Sequence, residues 1–212
     1  MMSHKKRNEQ GFSLLETLIV IGIMAILASI TIFKSFGTME NYQANSAMDT
    51  VIGQLRVARQ LAISQRRAVQ VWFNTYTSPA SAYTVSYQVQ ARLNVSGDVA
   101  GPVITMPLPR NTQFVMETGV PDTPMGFGTC SGNSAVCIGG ISCCPNTMYF
   151  SSTGQFSADE FGTTIYNGTI FIGVPGQPAT ARAVTIMGST GRVRPYTFIG
   201  PVNGASSQVW IE

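Results

Sequence analysis

The chain has 212 residues, with 13 Lys and Arg against 10 Asp and Glu and a formal net charge of +3, so any affinity for nucleic acid has to come from a local cluster and not from a polybasic field. Its only histidine is His4, which leaves any imidazole-based nucleophile or zinc site resting on one residue near the N-terminus. Charged side chains make up 11% of the residues while Gly, Ser, Thr and Gln are plentiful, a balance that suits a β-rich domain outside the cytoplasm better than a cytosolic enzyme.

Taken in chain order, Lys5, Lys6 and Arg7 come first, and no basic residue follows until Lys34. Between them, from Phe12 to Phe33, the sequence is almost wholly apolar and at helical rise is long enough to cross a hydrocarbon core of roughly 30 Å. The basic leader is expected to stay in the cytoplasm and the remainder to be exported. Glu16 is the one ionisable group in the apolar run. At the bilayer centre a carboxylate costs about 3 kcal/mol even on the lenient insertion scale, so such a residue calls for a partner and a role; the alternative is a signal anchor whose Glu snorkels to the interface.

The order Gly11-Phe12-Ser13-Leu14-Leu15-Glu16-Thr17-Leu18-Ile19-Val20 behind a short basic leader resembles a type IV prepilin signal. That resemblance implies cutting between Gly11 and Phe12 by a prepilin peptidase and N-methylation of the new Phe12 amine. It also implies pairing of Glu16 with the Phe12 amine of a neighbouring subunit as an inner-membrane assembly platform builds a filament. Cleavage would remove His4 and leave 10 basic against 9 acidic residues, a net charge near +1. No cofactor or metal is expected, and no enzymatic activity.

All 11 prolines fall at or after Pro79, so one long helix up to Gln65 is the economical reading, and it would reach about 80 Å. Met48, Val51, Ile52, Leu55, Ala58 and Ala62 form an apolar stripe at spacings of three and four, suited to packing on a globular domain. Gly22 and Gly37 each weaken the helix by up to about 1 kcal/mol relative to Ala, and by the resemblance either marks a place of local unwinding on assembly. Arg56, Arg59, Arg66 and Arg67 crowd the C-terminal part of the helix, where cations complement its dipole.

After Gln65 the period changes to two. Strands are expected at Val69–Phe73, Tyr83–Val89, Val103–Leu108, Gln113–Met116, Thr147–Phe150, Thr169–Val174, Ala183–Met187, Arg192–Phe198 and Gln208–Ile211. The expected fold class is α+β, a long N-terminal helix packed on an antiparallel sheet or sandwich. The boundaries are a leader 1–11, a membrane and assembly helix 12–36, an amphipathic helix 37–66, and a β-rich head 67–212. Within the head, Asp159 and Glu160 read as loop charges and the aromatic residues as core.

Cys130, Cys137, Cys143 and Cys144 sit in loop-like sequence within the head, the 130–144 loop. Outside the cytoplasm they favour disulfides. Joining Cys143 to Cys144 demands a strained ring, so Cys130 and Cys137 are expected to pair with them in one of two crossed ways; a four-thiolate zinc site lacks its usual two-residue knuckles. Gly191-Arg192-Val193-Arg194 places two arginines on one face of a strand, about 6.6 Å apart, close enough to grip neighbouring phosphates. The plainer reading is a solvated strand face.

Together with Gln54–Arg67 and Phe150-Ser151-Ser152-Thr153-Gly154, that motif resembles the minor-pilin and H-type pseudopilin group (GspH/FimT/FimU-like). The resemblance implies a structural subunit of a type IV pilus or pilus-like fibre, with other pilins or pseudopilins as partners and the inner membrane as its station before assembly. Alternatives within the class are a type II secretion pseudopilin and a DNA-binding minor pilin for DNA uptake, contacting DNA through Arg192 and Arg194. The alternative of another class is a membrane-anchored periplasmic enzyme.

Overall fold

A computed structural model describes residues 13–74, 83–91, 96–121, 124, 127, 134–139, 147–200 and 209–212, without the side chains of 31–38, 147 and 209. Helix α1 runs Leu14–Gln65 without interruption, passing through Gly22, Gly37 and Gly53. The chain divides into two units, Met1–Met39 and Glu40–Glu212.

In the first unit every described side chain from Ser13 to Ile30 is exposed, so the helix presents Leu, Ile, Val and Met on all sides. A helix apolar all round is stable only against other apolar matter, whether lipid or helices. The described side chains of this run stop at Ile30, and among the described residues no helix is long and apolar enough to cross a membrane.

In the second unit two antiparallel sheets form. The first has the order β3-β2-β1-β5-β6, with β1 at Val69–Asn74, β2 at Thr84–Val89, β3 at Ile104–Pro107, β5 at Thr147–Phe150 and β6 at Phe156–Ser157. The second has the order β10-β9-β8-β7-β4, with β4 at Val136–Ile138, β7 at Gly168–Ile172, β8 at Arg182–Met187, β9 at Arg192–Ile199 and β10 at Val209–Ile211. Ala47, Val51, Leu55, Ala58 and Ala62 on the helix, Val69, Val71, Phe73, Val85 and Phe150 on the first sheet, and Ile170, Val184, Ile186 and Val193 on the second all belong to one core. The fold is therefore α+β, and the helical stripe read from the sequence is the buried one, with Met48 half-buried at its margin.

The second sheet is covered on both faces. Cys137, Phe171, Ala183 and Tyr196 are buried on its outward side, with Met116 and Trp210 packed against them.

One expected strand is absent and two unexpected ones are present. Gln113–Met116 is no strand: Gln113 makes a single bridge to Gly173, and Phe114 turns inward to meet the ring edges of Phe73 and Tyr83. Conversely β4 and β6 were not foreseen, being three and two residues long, too short for a period to register.

Arg182 lies in the core at 4% exposure. Its guanidinium donates to Asn45 Oδ1 at 2.7 Å, Asn41 Oδ1 at 3.1 Å and Ala181 O at 3.0 Å, tying β8 to the helix through neutral oxygens. Burial lowers its pKa from the usual guanidinium value. A buried charge is tolerated only when its hydrogen bonds are made, and here the helix supplies two of the acceptors.

Asp159 closes the loop between β6 and β7. Its carboxylate accepts the amides of Thr163 at 3.0 Å and Thr164 at 2.9 Å and the Thr163 hydroxyl at 3.0 Å. Desolvation acts the other way and is the largest single effect, but the hydrogen bonds from Thr163 and Thr164 together outweigh it, favour the ionised form and hold the pKa at about 2 against an ordinary 3.8. A depressed carboxylate contributes stability that is complete above its unfolded pKa and is lost as pH falls through the folded one. Thermal unfolding followed between pH 5 and pH 2 is therefore expected to show Asp159→Asn less stable than wild type above about pH 4, with the difference shrinking toward about pH 2.

Candidate functional site

Two places carry the sequence-derived candidates, one in each unit. In the first unit, Ser13 O accepts the amides of Glu16 at 3.0 Å and Thr17 at 3.1 Å, so α1 begins right after Ser13 and Glu16 falls in its first turn. There the positive end of the helix dipole favours a carboxylate. Glu16 is exposed, and with Thr17, Val20 and Ile21 it lines a surface hollow of about 320 Å³. Gly11 and Phe12 lie outside the described residues.

In the second unit the three head segments singled out from the sequence meet at Arg59. The hairpin between β8 and β9 brings Gly191 back toward the helix, and the turn after β5 brings Gly154 there too. Arg59 Nε donates to Gly154 O at 3.3 Å. Both glycines have positive φ, +81° and +62°. A methyl group on Gly154 would come within 2.7 Å of Ile63 Cδ1, and one on Gly191 would run into the carbonyl oxygen of Gly154 and lie 2.9 Å from Arg59 Nε. Conformation favours glycine at both positions, and at Gly191 the backbone carbonyl of Gly154 leaves no room for a side chain.

Around this junction opens a groove of about 670 Å³ whose lining includes Arg56, Arg59, Arg192, Arg194 and Glu212. Register explains the strand contribution. Met187 pairs with Arg192, Ile186 with Val193 and Thr185 with Arg194, and Val193 is buried, so Arg192 and Arg194 share the outward face. Arg192 is exposed; Arg194 is half-buried and donates from NH1 to Glu212 Oε2 at 2.9 Å. The two arginines also line a smaller hollow of about 220 Å³ with Phe127, Thr185 and Met187.

Strand alternation had singled out Arg192 and Arg194, whereas Arg56 and Arg59 were expected chiefly to complement the helix dipole and solubilise the outer helix face, with a functional groove as the alternative, and Glu212 was not foreseen. Helical spacing puts Arg56 and Arg59 on neighbouring positions, yet only the hairpin's return shows that they face Gly191. Arg66 and Arg67 do not join the groove. Arg67 instead clamps a loop, donating to Gln90 O and Val99 O and pairing with Asp98 at 3.3 Å.

Cys137 is disulfide-bonded and buried on β4, where it faces Thr169 of β7. Cys130, Cys143 and Cys144, the other members of the expected pairings, lie outside the described residues.

The steric requirement at Gly191 predicts a graded pair of substitutions. Gly191→Ala is expected to destabilise the chain by more than about 2 kcal/mol, because strained backbone and a backbone collision add. Gly176→Ala shares a positive φ but meets nothing within 4 Å, so only about 1 kcal/mol is expected. Equilibrium urea unfolding of the two variants checks the ordering.

Residues 6–32 match the family described as the prokaryotic N-terminal methylation motif. Among solved structures, the chain is similar to the type IV minor pilin FimU of Pseudomonas aeruginosa (strain PAO1) in two crystal forms. One shows 18% identity over 72% of this chain and 87% of that chain, with a TM-score of 0.40. The other shows 18% identity over 71% and 90%, with a TM-score of 0.38. No curated protein matches the chain. At its N-terminus, therefore, the chain carries the prokaryotic N-terminal methylation motif.

Proposed function

We propose that the chain is a non-enzymatic structural subunit, a minor pilin, of a type IV pilus or pilus-like fibre. The observation that carries this reading is the N-terminal methylation motif at 6–32 laid over a stretch of helix, described from 13 to 30, whose side chains are apolar on every side with one carboxylate among them, Glu16. A prepilin peptidase cuts between Gly11 and Phe12, and the chain waits in the inner membrane with its head outside the cytoplasm. The assembly platform then transfers the helix from lipid into the fibre, among the helices of other pilins. Lipid is as apolar as those helices, so apolar contact alone discriminates poorly between registers. A charge pair between Glu16 and a neighbouring Phe12 amine supplies the missing selectivity, because an unpaired carboxylate in that environment is costly.

Mass spectrometry of the chain from its native membrane is expected to find an N-terminus at Phe12 bearing one methyl group; an intact Met1 start would overturn the reading. With Glu16→Ala, processing is expected to persist while recovery of the subunit in sheared fibres falls at least tenfold. Undiminished recovery would remove Glu16 from assembly.

A second reading concerns the groove. Arg56, Arg59, Arg192 and Arg194 converge on one concavity of about 670 Å³, and guanidinium forks match phosphate geometry. This supports a subunit that contacts DNA along its phosphate backbone, as a DNA-uptake pilin would. Binding of that kind is salt-dependent, with a slope near 0.9 per phosphate contact. In titrations of the whole chain in nonionic detergent with duplex DNA, Arg192→Ala/Arg194→Ala is expected to lower the salt slope by about 2. Equal binding by wild type and the double variant would dispose of the DNA reading.

A further inference from the structure

The groove contains its own competitor. Among the described residues that line it, Glu212 is the one carboxylate, set against four guanidiniums. We propose that Glu212 is an electrostatic gate on this groove: its carboxylate occupies the anion seat at Arg194, and a phosphate backbone engages Arg194 only by displacing it. The proposal rests on the reading of the groove as a phosphate-contacting surface and concerns how that surface is regulated.

The placement of Glu212 is built into the sheet. Strand β10 pairs with β9 through Val209 opposite Ile199, Trp210 opposite Phe198 and Ile211 opposite Thr197. The next residue, Glu212, therefore comes level with Tyr196, two positions from Arg194 on the same outward face. Trp210 anchors the strand, its ring 5.9 Å from Phe171 and 5.5 Å from Phe198. Two residues after Trp210 and on the same face, Glu212 reaches along β9 to Arg194 at 2.9 Å.

The strength of the contact decides its role. The side chains of Arg194 and Glu212 keep 32% and 49% of their exposure, so the pair is in contact with water and screened by salt. An exposed pair of this sort is weak enough to exchange for another anion, whereas a buried one would lock the arginine permanently. A phosphate oxygen offers Arg194 the same charge-assisted hydrogen bond that Glu212 now provides. The exchange is thus close to balanced, and it favours a polyanion that touches Arg56, Arg59 and Arg192 at the same time. An isolated small anion, touching Arg194 alone, gains no such surplus.

Glu212→Gln tests this, since it keeps the shape and hydrogen-bonding capacity of the side chain and removes its charge. In the whole chain in nonionic detergent, fluorescence anisotropy with a labelled duplex is expected to show about fivefold tighter binding at 50 mM salt. The slope of log affinity against log salt is expected to stay as in wild type, because Arg194 meets a phosphate in both complexes and only the cost of displacing Glu212 is removed. Glu160→Gln removes the same charge elsewhere on the head and is expected to leave both quantities unchanged. Equal affinity in Glu212→Gln and wild type, with Arg192→Ala/Arg194→Ala still weakened, overturns the gate and leaves the groove reading standing. An equal gain in Glu160→Gln overturns the gate as well, because net charge would then account for the effect. Weaker binding in Glu212→Gln also overturns it, making Glu212 a residue that positions Arg194. Absence of binding in every variant removes both the gate and the groove reading.

Discussion

Four alanines govern the second unit. Ala44, Ala47, Ala58 and Ala62 are fully buried on one stripe of the helix, interleaved with Val51 and Leu55. Their small side chains let the backbone of the helix approach the inner faces of both sheets, and the large residues that fill the remaining space come from the strands: Phe73, Met148, Phe150, Phe156, Ile170 and Ile172. A longer side chain at any of these alanines would overpack a site with no room to give. Arg182 adds direction to this apolar contact. Hydrophobic burial is indifferent to small slides along the axis, whereas a buried guanidinium bonded to Asn41 and Asn45 fits at one position of the helix only.

That fixed position is what creates the arginine groove. Arg56 and Arg59 stand on the same helix, toward its C-terminal end from the clamp, and meet the β8–β9 hairpin because the sheet is held at one height along the axis. Gly191 then lets the β8–β9 hairpin close on the Gly154 backbone beside Arg59, where a side chain would hold the two segments apart. The groove is therefore a consequence of packing, and its cations are held open by structure and not by mutual attraction. Among the described residues that line it, the one carboxylate, Glu212, moderates their repulsion.

The first unit follows another logic. From Ser13 to Ile30 the described side chains put Leu, Ile and Val on all sides of the helix, a surface suited to a bilayer or to a bundle of like helices. Between those two environments the apolar side chains are nearly neutral. The exception is Glu16, whose energy depends on whether a cation is near. Under the proposed function, one carboxylate converts an indifferent apolar surface into one with a preferred register.

The helix stripe, most strands and the α+β class were legible in the sequence because each rests on local periodicity: Val51, Leu55, Ala58 and Ala62 repeat at helical spacing, and Tyr83, Val85, Tyr87 and Val89 alternate. Strand β4, strand β6 and the inward turn of Phe114 were not, since such short pieces take their conformation from the neighbours they pair with. The same division holds for the candidate sites. Glu16 declared itself by chemistry alone, as a charge amid apolar residues, and Arg192 with Arg194 did so by alternation on a strand. The union of those two with Arg56, Arg59 and Glu212 depends on contacts between residues far apart in the chain, which no local pattern encodes. By itself the sequence determined which segments are helix or strand and where an isolated charge must be costly. Only the tertiary structure decided which charges share a surface, because electrostatic energy depends on distance through space and not on separation along the chain.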